Sequence, residues 1–278
     1  MRAFLFDKYN IYYRGYIYMS AASDAREKLI ADNITALRIP GLQATRPPAD
    51  VRYADVKINF KGRSGSKESW LEVKMNHTDN LGNVRVFWDG QKWGTSIRDG
   101  MTPLKKFMVD LLNNGQGKPQ ADKFLNDLAA FVSPKSKKLN KNHIKVPTTK
   151  GGLAEVGAIS RAEMAKFVQL RGGQYFINVP NVNLGELVIK HYNEGKAAPV
   201  SYLQAADDFY LMGNLDELGL KRINSDIPVV KGMGNFKMRV GIRTEYYELQ
   251  PEIKILDMGS SAYSLLSSSK KNPFEGLK

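Results

Sequence analysis

Two carboxylates and a lysine, Asp55, Glu72 and Lys74, have the side-chain types of a metal-dependent hydrolytic site. Mg2+ prefers carboxylate oxygens in octahedral geometry and keeps several waters, so two acids suffice to hold it. Asp55 and Glu72 are the candidate ligands, with the Val73 carbonyl as a further oxygen donor. Mn2+ is expected to substitute. An ammonium beside such an ion can orient or deprotonate a water, or stabilise negative charge developing on a phosphate. The reaction that uses all three groups is phosphodiester hydrolysis, which needs an activated water, neutralised charge and help for the departing oxygen.

The elements that must position these residues are two strands. VRYADVKINF (51–60) alternates, with Ala54, Val56, Ile58 and Phe60 on one side and Tyr53, Asp55, Lys57 and Asn59 on the other. ESWLEVKM (68–75) does the same, with Ser69, Leu71, Val73 and Met75 opposite Glu68, Trp70, Glu72 and Lys74. Successive strand side chains point to opposite faces, so each stretch has an apolar and a mostly polar side. KGRSGSK between them is turn chemistry. A hairpin then brings Asp55, Glu72 and Lys74 to one face. A salt-bridged surface hairpin, with Lys74 pairing across to Asp55, is the plain alternative.

Acid-x-lysine is a common tripeptide, and it also occurs at Asp55-Val-Lys57, Glu194-Gly-Lys196 and Glu252-Ile-Lys254. The Glu72 copy alone joins an alternating strand to an acid on the same face of the preceding one. Asp55, sixteen residues, then Glu72-Val-Lys74, within helix–strand–hairpin–strand–strand order, resembles the PD-(D/E)XK nuclease superfamily. The resemblance covers residues 20–95, and Ala54 stands where the family often has proline. It implies a restriction-endonuclease-like α/β core, a central mixed β-sheet flanked by helices, with C-terminal elaborations. By the same analogy Glu27, on the first helix, is the candidate for an outer catalytic acid. A homodimer, which brings two sites to one duplex, is likewise implied by the family.

Lys and Arg outnumber Asp and Glu by 41 to 28, a formal charge of +13 that favours nucleic acid over membrane as partner. Candidate DNA contacts are Lys57, Lys61, Arg63 and Lys67 on the hairpin, and His77 beyond it. The most basic segment, 133–150, adds Lys135, Lys137, Lys138, Lys141 and Lys145. It reads either as a solvated connector or as an arm that grips phosphates. There is no cysteine, which excludes disulfides, thiolate zinc sites and cysteine nucleophiles. His77, His143 and His191 form no zinc spacing, and no GxxxxGK loop points to a nucleoside triphosphate. Trp70, Trp88 and Trp93 could stack on bases, although strand aromatics are usually core. No run of about 18 apolar residues suggests a membrane span, and Asp7, Lys8 and Arg14 interrupt any secretory signal. A cytoplasmic location is expected.

Along the chain, 2–18 reads as one or two strands, with Met19 an alternative start; 20–37 reads as a helix capped by Ser20 or Ser23. A third strand begins at Val84, and helices are expected over 102–113, 119–132, 160–170 and 183–194. Residues 175–179, 200–213 and 235–255 read as strands. One domain over 1–258 is expected, with a catalytic core at 20–95 and recognition elements at 100–258, followed by a frayed tail, 259–278. The size beyond the core favours a site-specific double-stranded DNA endonuclease of restriction or homing type. A recombination or repair nuclease and a silent DNA-binding protein of the same fold are the alternatives.

Overall fold

The computed structural model describes residues 21–50, 52–63, 65–97, 100–255 and 258–278. The strands expected over 2–18, and the Ser20 cap, lie outside these. The fold is α/β, and the chain forms two compact units. The first comprises the described residues up to His77 with Lys196–Val230 and Gly259–Lys278; the second comprises Thr78–Gly195 and Lys231–Met258.

In the first unit, helix α1 (21–36) precedes β1 (Leu42–Thr45), β2 (Val56–Gly62) and β3 (Gly65–Lys74). After the chain returns, β7 (Tyr202–Ala205), β8 (Asp208–Leu211) and the short α6 (Leu220–Ile223) complete it. The strands form one mixed sheet in the order β1-β2-β3-β7-β8, in which β3 and β7 run parallel and the other pairs antiparallel. A parallel pair needs a long crossover, and here the chain passes through the second unit between the two strands. The expected β2–β3 hairpin forms in the register that alternation requires, with Val56 opposite Leu71 and Ile58 opposite Ser69.

Apolar side chains of this sheet pack with Ile30, Ala31 and Ile34 of α1, which recur at helical spacing along one stripe. Ser23 lies within α1, and its hydroxyl donates to Glu27 rather than capping the helix. Gly41 turns the chain from α1 into β1 with φ +79°, and a Cβ there would sit 2.3 Å from the Lys61 carbonyl oxygen. The C-terminal segment does not fray. Tyr263, Leu265, Phe274 and Leu277 are buried in the same core, and Phe209 N–H donates to the Tyr263 carbonyl. Its Ser, Gly and Lys content disguised four large apolar residues spaced to reach that core.

The second unit holds β4 (Val86–Trp88), β5 (Trp93–Thr95), α2 (Pro103–Asn113), α3 (Lys118–Val132), α4 (Arg161–Arg171), β6 (Tyr175–Asn183), α5 (Leu184–Glu194), β9 (Met233–Ile242) and β10 (Tyr247–Glu252). Its antiparallel sheet runs β5-β4-β10-β9-β6. The strand expected from Val84 therefore leaves the β2–β3 sheet and pairs with β5 and β10 instead. Asp89 Oδ1 accepts from the Gln91 and Lys92 amides and Gly90 takes φ +102°, so Trp88–Trp93 closes on itself. The four expected helices form within one or two residues of their expected ends. The start of α4 is typical: Ser160 and Glu163 make a capping box, and Gly172 ends the helix in the left-handed region.

Packing of the tail gives the first testable outcome. Phe274→Ala should lower unfolding free energy by about 3–4 kcal/mol, the range for deleting a buried phenyl ring, as read from urea midpoints. A loss within experimental error would return the tail to the frayed state.

Candidate active site

Asp55 stands one residue before β2, and β2–β3 pairing runs no further than Val56 opposite Leu71. The next β3 amide facing that side is Val73 N–H, and Asp55 Oδ2 accepts it at 2.8 Å. A side chain thus takes over the hydrogen bond that a longer β2 would have made. On the other edge of β3, the Trp70 and Lys74 carbonyls accept from Ser201 and Ala206. Backbone groups alternate sides along a strand, so the Val73 carbonyl faces the Asp55 side with its own N–H. The side chain of Glu72 is buried, and Lys74 Nζ donates to Glu72 Oε1 at 2.6 Å. Lys74 therefore pairs with its strand neighbour, and the structure brings all three expected residues to the same end of the ribbon.

Burial and the neighbouring Glu72 charge push the Asp55 carboxyl up to about 7, against the opposing pull of Lys74 and the Val73 N–H; Glu27 adds to the rise. Two acids close enough to disturb each other create negative potential that a proton or a cation relieves. The donor set is all oxygen, which suits a hard divalent ion. Among the described residues no group of three or more Asp, Glu or His side chains is arranged to hold a metal. The donors available are thus Asp55, Glu72 and the Val73 carbonyl, with solvent completing the shell. Glu27 accepts from Ser23 Oγ at 3.0 Å and from Arg46 Nε at 2.7 Å. Arg46 also reaches Asp24 at 2.5 Å. Its guanidinium sits above its ordinary range because of the Glu27 hydrogen bond, with desolvation opposing and the charges of Glu27, Asp24 and Asp55 reinforcing. Sequence reading passed over Arg46, and its signal was faint: a cation in the otherwise apolar and acidic loop RPPAD.

The candidate DNA contacts separate into ion-paired and exposed groups among the described residues. Lys57 bridges to Glu68 at 2.8 Å and lies over the Trp70 ring, whereas Lys61, Arg63 and Lys67 are exposed. His77 Nε2 lies 2.7 Å from Asp208 Oδ2. Asp208 is buried and accepts from Lys270 at 2.5 Å and from Ser261 N–H at 2.6 Å. Burial raises the Asp208 carboxyl, but those two donors outweigh it and hold the group below its usual range. Register places Asp208 opposite Ala205 and Ala205 opposite Lys74, so Asp208 shares the Lys74 face. Neither Asp208 nor Lys270 was singled out from sequence.

Segment 133–150 belongs to the second unit and is folded rather than a free arm. Val146 pairs with Trp88, and Lys145 N–H donates to Gly157. Lys141 bridges to Asp122 at 2.6 Å and Lys145 to Glu155 at 3.1 Å, while Lys135, Lys137 and Lys138 are exposed. The counter-charges lie outside the segment, where local composition could not reveal them. Trp70, Trp88 and Trp93 are buried, so none offers an open stacking surface. Compared with known proteins, the chain matches no family model, no curated protein and no solved structure.

The raised Asp55 carboxyl sets a pH dependence. A carboxyl whose folded pKa exceeds its unfolded value of 3.8 leaves stability untouched below both values and lowers it as pH rises from the unfolded value to the folded one. Asp55→Asn should therefore be stabilising relative to wild type near pH 8, on the order of 1–3 kcal/mol, with the difference shrinking toward about pH 4. Urea titrations across that range check it, and a pH-independent difference would contradict it.

Proposed function

We propose that the chain is a Mg2+-dependent endonuclease acting on double-stranded DNA, with Asp55, Glu72 and Lys74 as its catalytic centre. The observation that carries this reading is Asp55 and Glu72 in mutual electrostatic contact at the end of the β2–β3 ribbon, with Lys74 bonded to Glu72. Asp55, Glu72 and the Val73 carbonyl would hold the ion, and Mn2+ would substitute. When bound, the ion supplies a Lewis acid for the phosphoryl oxygens and lowers the pKa of water. Glu72 fixes the Lys74 ammonium beside the site. As a paired cation, Lys74 serves by orienting water and by stabilising charge on the phosphate rather than by removing a proton. The Asp55–Val73 bond holds the first carboxylate in place, and Arg46 keeps Glu27 beside it as an outer acid.

The basic surplus supports a polyanionic substrate. Site-specific cutting by a two-fold dimer, in a restriction or homing role, is the fuller form of the proposal and rests on the family resemblance. No helix among the described residues is long and apolar enough to cross a membrane. One observation favours a second reading, a DNA-binding protein that does not cut: Glu72 already has the Lys74 ammonium as counter-ion.

Incubating supercoiled and linear duplex DNA with the protein in Mg2+, in Mn2+ and in chelator separates the two. Cutting that needs the metal is expected, with discrete fragments if it is site-specific. Asp55→Ala and Glu72→Ala should abolish it while DNA binding persists. Lys74→Ala should slow it by about 100-fold to 1,000-fold, as for loss of one charge-stabilising donor. Binding without nicking in either metal would establish the silent reading.

A further inference from the structure

The β2–β3 ribbon carries a second feature at its other end. A cavity of about 230 Å³ is walled by the hairpin turn, the α6 turn and the last residues of the chain. The side chains of Arg63, Lys67 and Arg222 line it, and no Asp or Glu side chain does. None of these three cations has an ion-pair partner among the described residues. In the same unit Arg46, Lys57, Lys74 and Lys270 are all bridged to acids. Like charges gathered without counter-charge raise the potential of a cavity, and an anion relieves it.

The rest of the lining is apolar. Phe60 and Leu218 are buried, while Ile223 is 39% exposed. A simple inorganic anion would leave Ile223 and the adjoining Gly276 wet, whereas a ligand with an anionic head and a flat, weakly polar body would cover them. Guanidinium groups bind phosphate in a planar fork and also stack on flat rings, which suits such a ligand. The volume falls below the roughly 300–1,000 Å³ of sites that enclose drug-sized molecules, so it admits one nucleotide unit at most. Phe60 and Lys67 are cross-strand partners on the Val56 face of the ribbon, opposite the Glu72 face. Six strand steps separate Val56 from Gly62, roughly 20 Å. The cavity is thus separate from the carboxylate site.

We propose that this cavity binds a single nucleotide, its phosphate held by Arg63, Lys67 and Arg222 and its base or sugar laid on Ile223 and the adjoining Gly276. The nucleotide is either free or the phosphorylated end of a nucleic-acid strand. This assignment stands whether or not the protein cuts DNA.

Calorimetric titration of the full chain with adenosine 5′-monophosphate, adenosine and inorganic phosphate tests it. The monophosphate should bind at least about tenfold more tightly than phosphate alone, with adenosine not saturating, because both halves of the ligand are needed. Arg222→Glu should weaken the monophosphate by about tenfold or more, with the thermal melt unchanged. Glu72→Ala should leave its binding unaltered. Short single strands with and without a 5′-phosphate, titrated into Glu72→Ala protein, identify the source. A phosphorylated strand that binds more tightly than the mononucleotide marks a strand end, and the reverse order marks a free nucleotide. No binding of the monophosphate below millimolar concentration would overturn the proposal. So would binding that neither Arg222→Glu nor Lys67→Glu reduces.

Discussion

The register between β2 and β3 is the constraint on which the first unit depends. Side chains alternate with period two, so a slip of one residue would turn Val56, Ile58 and Leu71 toward the polar face and carry Glu72 into the apolar core. Burial of Ile58 and Leu71 opposes that slip, since each is fully removed from solvent. The same register that fills the core therefore places Asp55 level with Glu72. Hydrophobic burial is strong but non-directional; here pleat geometry converts it into the position of two carboxylates.

Asp55 ends β2 as well as facing Glu72. Its carboxylate receives the Val73 N–H where β2 has run out of backbone, which leaves the Val73 carbonyl turned to the same side. An acid held by one amide, partly desolvated and close to a second acid keeps its proton more tightly than an exposed one. Lys74 offsets part of that repulsion. Arg46 gathers Glu27 and Asp24 a short distance away, so the negative side chains at this end of the sheet are interleaved with two cations. At β8, Asp208 draws His77 and Lys270 together. A buried acid there ties the segment after β3 to the C-terminal segment, and that segment in turn covers the core.

Amide satisfaction, charge pairing and apolar burial thus reinforce one another across the first unit. At the turn end of the ribbon charge pairing fails, and Arg63, Lys67 and Arg222 face one cavity without acids. Three cations around one cavity without acids make a local imbalance, which an anionic ligand would relieve. The second unit balances its charges differently: Glu248, almost fully buried, is clasped by Arg85 and Arg243 on its own antiparallel sheet.

Residues close in sequence were legible without coordinates. The alternation of 51–60 and 68–75 determined the β2–β3 ribbon, its faces and the company of Asp55, Glu72 and Lys74, because a hairpin needs only local pairing and a turn. The periodic stripe of α1 and the cap signals of α4 were equally local. Long-range pairing was decided by tertiary structure alone: β7 beside β3, β4 beside β10, and the tail sealed over the core. These contacts join segments whose own patterns are compatible with several partners, and only simultaneous burial of all their apolar faces selects one. Counter-charges followed the same rule. The partners of Glu27, His77, Lys141 and Lys145 come from other elements, so the sequence could name the charges but not which of them remain free to meet a ligand.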